Sequence, residues 1–423
     1  MNFYDNIIVG SGAGGASLAK SLSERGAHNL VLEQGCVQRI GRIRDCLRFY
    51  DLNRFFKTVR HSKEGVPIWQ SYMAGGSTMV SCGNIARCLE KELKAVGVDL
   101  SKYFEICEEE IKPSFLCDDL LGPRSIMIKE AALKLGYNMN PALKGINSNK
   151  CVKCGKCVFG CRYGAKWDAL KPINEAKRKG CVVKYDSPVE KITHEHGRVT
   201  GVVLKNGTVY RSRNVILCAG GVNSPIILQK SGIKNAGKHF FCDLLVNVYG
   251  AVKNTFTEYE PVMALINSDF YQDKGFIVAS YMSQHPLYQF LDRGVKGLFQ
   301  NPNKMLGMMV KIRDDRTGSI NSKGVISKYP SPNDREKLNA GIKVCEEILA
   351  EAGAGLNFTH SSIQGAHPGG SCAIGEVVDT NLETEIKGLF VSDASVLPVS
   401  PGFPPILTIS ALSRYLADKI FML

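Results

Sequence analysis

The 423-residue chain has no window approaching the roughly 20 apolar residues that a membrane-spanning helix needs. Its opening, MNFYDNIIVGSGAGG, lacks the basic stretch, apolar run and small-residue cleavage site of an export signal. A cytoplasmic protein is therefore expected, with any membrane contact confined to the periphery. Internal repeats and low-complexity tracts are absent, which excludes solenoid and linker-like architectures. The aromatic residues form no stacking platform and no nucleic-acid motif occurs, so no nucleic-acid partner is expected. Acid is the scarce charge: 40 Asp and Glu face 53 Lys and Arg, leaving a formal +13. The excess is densest over residues 37–63, where Arg39, Arg42, Arg44, Arg48, Arg54, Lys57, Arg60 and Lys63 oppose only Asp45 and Asp51. Such a surface suits phosphates, an acidic electron carrier or an anionic lipid surface.

What is present begins with a strand, Asn6-Ile7-Ile8-Val9, a glycine turn, a helix over 16–25 and a second strand ending on Glu33. Gly10, Gly12 and Gly15 form a G-x-G-x-x-G fingerprint between strand and helix. The first glycine permits the tight turn, the second lets backbone approach a pyrophosphate, and the third lets the helix pack close to the strand. Helix N-terminal N–H groups then face the phosphates. Glu33 is the expected acceptor for ribose hydroxyls, which favours FAD or NAD over NADP. A second glycine-rich turn, Gly75-Gly76-Ser77, and a late strand ending in Asp393-Ala394 are further places where backbone can meet a cofactor. Asn206-Gly207 marks a hairpin between two apolar runs. A helix is expected from Asp334 to Ala352, and residues 240–325 show short apolar runs without clean periodicity.

Fifteen cysteines is an odd number, and four of them crowd into one loop. Cys151, Cys154, Cys157 and Cys161 follow the C-x2-C-x2-C-x3-C spacing of an iron–sulfur loop. A [4Fe–4S] centre on all four, a [3Fe–4S] centre on three, a structural zinc ion and a reduced loop without metal are the readings this spacing allows. Lys153, Lys156, Arg162 and Lys166 are placed to offset the charge of a cluster.

In order along the chain, GSGAGG with Glu33, AGGSTMVSCGN, Pro188-Val189-Glu190, VILCAGGVNSPIILQKSGI, AHPGGSCAIG and GLFVSDASVLPVSPGFPPILTISAL resemble the glucose-methanol-choline (GMC) family of FAD-dependent oxidoreductases. The resemblance implies an α/β fold: a Rossmann-like FAD-binding domain interleaved with a smaller α+β substrate domain whose antiparallel sheet covers the flavin. The corresponding divisions are 1–90, 181–240 and 356–423 for the FAD-binding domain, 91–180 for a helical insertion with the cysteines, and 241–355 for the substrate domain. Gly10, Gly12, Ala13, Gly15, Glu33, Gly75, Gly76, Ser77, Val189, Ala219, Gly220, Asp393, Ala394, Pro404 and Pro405 fall on its cofactor-binding segments, with Val189 at the adenine.

The family reaction takes a proton from a substrate hydroxyl and a hydride from its carbon, and the implied base is His367. Two departures stand out. Pro404 replaces a His or Asn that would bond the substrate oxygen, leaving His360 or Tyr281 to take that role, and Ser81 replaces an Asn. Dehydrogenation is therefore expected over oxidase chemistry, with electrons passing through an iron–sulfur cluster to a protein or quinone. The alternatives are an electron-relay flavoprotein subunit and a flavin-dependent reductase or desaturase of a lipid-like substrate.

Overall fold

The computed structural model describes residues 3–37 and 60–422, so most of the basic 37–63 stretch lies outside the described residues. Its first sheet has seven strands. Phe3–Val9 runs parallel to Asn29–Leu32 on one side and to Val209–Leu217 on the other, with Ile7 level with Leu30 and Val215. Val182–Lys184 and Leu389–Val391 extend the parallel set. Val189–Glu195 and Arg198–Leu204 form an antiparallel meander on Val209–Leu217. The hairpin expected at Asn206-Gly207 joins two of these strands, and Gly207 takes the positive φ of 85° that the turn requires.

The helix Ala13–Glu24 starts three residues before its expected beginning. Gly14 and Gly15 lie inside its first turn because packing there leaves no room for a side chain: a Cβ would stand 2.1 Å from the Ser392 carbonyl oxygen or 2.0 Å from that of Gly10. This helix packs against Ile406–Met422 and Leu170–Arg178, covering one face of the sheet.

A second, nine-stranded sheet carries the antiparallel strands Leu244–Ala251, Met305–Ile312 and Phe276–Ser280 at its centre. These are the runs whose period was illegible in sequence. Every residue of Met305–Ile312 and Phe276–Ser280 is buried, so both faces are apolar and no alternation survives. Short strands at Arg60–His61, Pro67–Ile68, Asn140–Pro141, Thr359–His360 and Gln364–Gly365 also join this sheet. The helix Pro332–Glu351 lies across it. A capping box sets the start of that helix: Asp334 N–H donates to Ser331 Oγ (3.0 Å) and Ser331 N–H to Asp334 Oδ2 (3.0 Å). Among the described residues no helix is long and apolar enough to cross a membrane.

Just beyond the strand Met305–Ile312, Asp314 pairs with Lys328 (2.7 Å), and both side chains are fully buried. Lys328 Nζ also donates to the Asp315 carbonyl oxygen at 2.6 Å. Asp314 in turn accepts the backbone N–H groups of Cys242 (3.2 Å) and Asp243 (2.8 Å), so the pair fixes the chain where the second sheet begins. Breaking a buried pair from one side leaves an uncompensated charge. Lys328→Met should therefore lower folding stability by about 3–5 kcal/mol, read as a shifted midpoint in denaturant unfolding.

Candidate active site

A cavity of about 530 Å³ runs between the two sheets. Gly10, Gly12, Ala13, Glu33, Gly76, Ser77, Val189, Ala219, Gly220, His367, Asp393, Ala394, Pro404 and Pro405 all line it. Two of the expected residues do not. Gly15 is used by packing against the Gly10 carbonyl, and Gly75, in a left-handed turn at φ 85°, donates its N–H to Ser11 Oγ at 3.0 Å.

The fingerprint glycines separate by what would fill their missing side chains. A Cβ at Gly10 would meet the Cys218 carbonyl oxygen at 2.3 Å, whereas one at Gly12 would meet nothing within 4 Å. Space is thus kept open at Gly12 beside the N-terminus of the helix Ala13–Glu24, as close approach of a pyrophosphate requires. Glu33 is buried; its Oε2 accepts from the Ser11 N–H (2.9 Å) and hydroxyl (2.7 Å), and its Oε1 from the Gly35 N–H (2.8 Å). Burial raises its pKa, opposed by these donors. The Gln34 N–H also acts on this carboxylate, which lines the cavity, where a ribose hydroxyl can approach it.

Asp393 is a brace. Its carboxylate accepts from the Gly220 N–H (2.8 Å), Ser224 Oγ (2.5 Å), and the N–H (2.8 Å) and hydroxyl (2.6 Å) of Ser395, tying the start of the helix Gly220–Lys230 to the Ala394–Val396 turn.

His367 sits on a doubly anchored segment: its N–H and that of Ala366 donate to the Cys242 carbonyl oxygen at 3.1 and 2.7 Å. Its Nδ1 lies 2.7 Å from Oδ2 of Asp243, whose side chain is fully buried. The other oxygen of Asp243 accepts from the Ser400 hydroxyl (2.6 Å) and the Gly402 N–H (2.9 Å). Asp243 holds a left-handed backbone at φ 46°, a conformation tolerated here because its N–H and both carboxylate oxygens are engaged. Burial, then the charge of Lys311, lowers the pKa of His367, and Asp243 opposes the shift.

The stand-ins expected for Pro404 divide. His360 is half-exposed and bonds Glu346 at 2.8 Å, outside the cavity lining. Tyr281 does line the cavity, with its hydroxyl bonded to that of Tyr288. Ser81 lines it as well.

The cysteine loop is not confirmed as a metal centre. Among the described residues no group of three or more His, Cys, Asp or Glu is disposed to hold a metal ion, and this includes Cys151, Cys154, Cys157 and Cys161. All four are free thiols outside the cavity lining. The loop is held by packing instead. Cys151 packs against the core under the second sheet, while Cys157 joins a different cluster with Val158 and Phe159. Lys166 is tied to the loop through backbone. It is buried, and its Nζ donates to the carbonyl oxygens of Ser81 (2.6 Å), Met79 (2.9 Å), Cys157 (3.2 Å) and Thr78 (3.3 Å). A second buried lysine, Lys144, bonds the Cys82 (3.0 Å) and Val262 (3.1 Å) carbonyls and the Asn84 amide oxygen. Burial pushes its pKa down to about 8. Together these lysines fasten the 78–84 segment of the cavity wall.

Sequence reasoning missed Asp243 and Lys311. The signal for Lys311 was present, a single lysine inside the apolar run Met305–Ile312. Asp243 had no such signal, because its pairing with His367 spans 124 residues of chain.

Residues 4–245 and 325–413 match the N- and C-terminal parts of the family described as GMC oxidoreductase. An uncharacterized protein of Methanocaldococcus jannaschii is 30% identical over 99% of this chain and all of its own length. A long-chain-alcohol oxidase of Arabidopsis thaliana is 23% identical, over 98% of this chain and 67% of its own. The crystal structure of pyridoxine 4-oxidase from Mesorbium loti superposes with a TM-score of 0.73 at 17% identity, covering both chains fully, a likeness of fold. The chain belongs to the GMC oxidoreductase family. Its mixed α/β fold, with a FAD-binding domain and a substrate domain, is that family's.

FAD, which the family generally binds, fits these residues: a Cβ at Gly12 would meet no protein atom, and Glu33 lines the same cavity. Gly12→Ala should fold normally yet lose about tenfold or more in flavin affinity, because only the ligand needs that space. Gly15→Ala should instead lose about 1–3 kcal/mol of stability through overpacking. Flavin absorbance per purified chain and thermal unfolding of the flavin-free proteins separate the two effects.

Proposed function

We propose that the protein oxidises a CH–OH group of a small-molecule substrate, with His367 as the base. The observation that carries this reading is the His367–Asp243 pair on the cavity wall. With its Nδ1–H donated to the buried carboxylate, the imidazole keeps a lone pair on Nε2, the tautomer a base requires. Its lowered pKa leaves that nitrogen unprotonated at neutral pH. Bound FAD would supply the acceptor for the carbon-bound hydrogen and its electron pair. The hydroxyl proton passes to Nε2 and a carbonyl results. Leu245, Met263 and Met309 give the cavity an apolar wall able to exclude water. Alcohol oxidation by a relative in Arabidopsis, matched over 98% of this chain, supports the same reaction class.

The reading extends to a dehydrogenase whose acceptor is a protein or a quinone, supported by the +13 charge that would attract an acidic carrier. Electron transfer through an iron–sulfur centre is left out of it, because no metal-holding group among the described residues supports that centre.

His367→Asn should retain bound flavin and its reduction by dithionite, while substrate-dependent flavin reduction falls by about 10²–10⁴. In the wild type, kcat/KM should rise with pH through the His367 pKa, below the usual 6.5, and level off above it. Anaerobic stopped-flow with a panel of primary and secondary alcohols gives both. An unchanged rate in the Asn variant removes His367 from the chemistry.

A further inference from the structure

Four lysines are buried among the described residues: Lys144, Lys166, Lys311 and Lys328. Lys144 and Lys166 spend their N–H groups on backbone carbonyls and an amide, and Lys328 pairs with Asp314. Lys311 differs. It is 3% exposed, lines the cavity, and its ammonium makes no hydrogen bond or salt bridge with any described residue.

Its position is forced by the sheet. Lys311 stands on the central strand Met305–Ile312, level with Leu245 on one neighbour and Ile277 on the other. Met309 lies two residues before it, on the same face of the strand, and also lines the cavity. The charged and titratable groups that act on Lys311 are Asp243, Cys82 and Cys88, and Lys311 in turn acts on His367. Asp243 has both its oxygens engaged by His367, Ser400 and Gly402. Burial depresses the pKa of both Cys82's neighbour Lys144 and Lys311, while the Cys82 thiol itself is pushed up to about 11 by burial and so offers no thiolate at neutral pH.

An ammonium that no protein group bonds, on a strand otherwise sealed in the core, can direct its N–H donors only into the cavity it lines. A fold keeps such a group when a ligand completes it. Resting on the reaction proposed above, we infer that Lys311 is the donor to the substrate's reacting oxygen, stabilising the negative charge that grows there as the hydroxyl proton moves to His367 Nε2. The proton leaves the O–H bond for nitrogen and the electron pair of that bond stays on oxygen, where the Lys311 ammonium would stabilise it; bound FAD would accept the hydride from carbon as C=O forms. Pro404, on the same cavity wall, has neither an N–H nor a side-chain donor to serve that oxygen.

The test is Lys311→Met, Lys311→Gln and Lys311→Arg in the flavin-loaded protein, beside His367→Asn. Removing one donor to a developing oxyanion lowers kcat by about 10²–10³, so the Met variant should lose that much and the Arg variant much less. Met should also leave the thermal midpoint unchanged or higher, because it removes an unpaired buried charge. The His367 titration, followed by NMR of carbon-labelled histidine in the flavin-free protein, should move to higher pH in the Met and Gln variants. A kcat within a few-fold of wild type in folded Met and Gln variants overturns the inference. So does a lowered midpoint in both with an unmoved His367 titration, which would make Lys311 structural. If His367→Asn is also fully active, the proposed reaction fails; if it is inactive while the Lys311 variants are not, only the role of Lys311 fails.

Discussion

The Asp243 carboxylate is the point on which the two sheets and the chemistry meet. It lies fully buried beside the start of Leu244–Ala251, holds His367 through one oxygen, and takes the Ser400 hydroxyl and Gly402 N–H on the other. Beneath it the Asp314–Lys328 pair anchors its backbone. A buried carboxylate is tolerable only with such a set of donors. The same donors fix its direction, so the imbalance of charge around His367 is built into the fold and needs no rearrangement when substrate arrives.

Buried lysines do the complementary work on the opposite wall. Lys144 and Lys166 gather carbonyl oxygens from the 78–84 segment, the cysteine loop and residue 262, which fixes the surface that segment presents. Each replaces water around several carbonyls with three N–H donors on one atom. The cysteine loop therefore owes its shape to Lys166 and to the burial of Val158 and Phe159. Lys311, with the same side chain and a similar burial, has none of these partners.

Local chemistry was legible in the sequence wherever it acts through neighbours in the chain. The fingerprint at Gly10, Gly12 and Gly15, the acid at the end of the second strand, the Asn206-Gly207 hairpin and the helix after Ser331 each depend on a few consecutive residues. Illegible were the strands between 240 and 325, because burial on both faces erases period two.

The sequence by itself determined that a strand, a glycine turn, a helix and a second strand ending on Glu33 open the chain, and the resemblance of its segment singled out His367. Tertiary structure decided what that histidine can do. Asp243 reaches it across 124 residues, and Lys311 comes to the same cavity from a strand with no local mark of function beyond one charge in an apolar run. Tautomer, proton affinity and the placing of an unpaired cation are set by groups brought near in space and withdrawn from water, and neither distance nor burial is written in residue order.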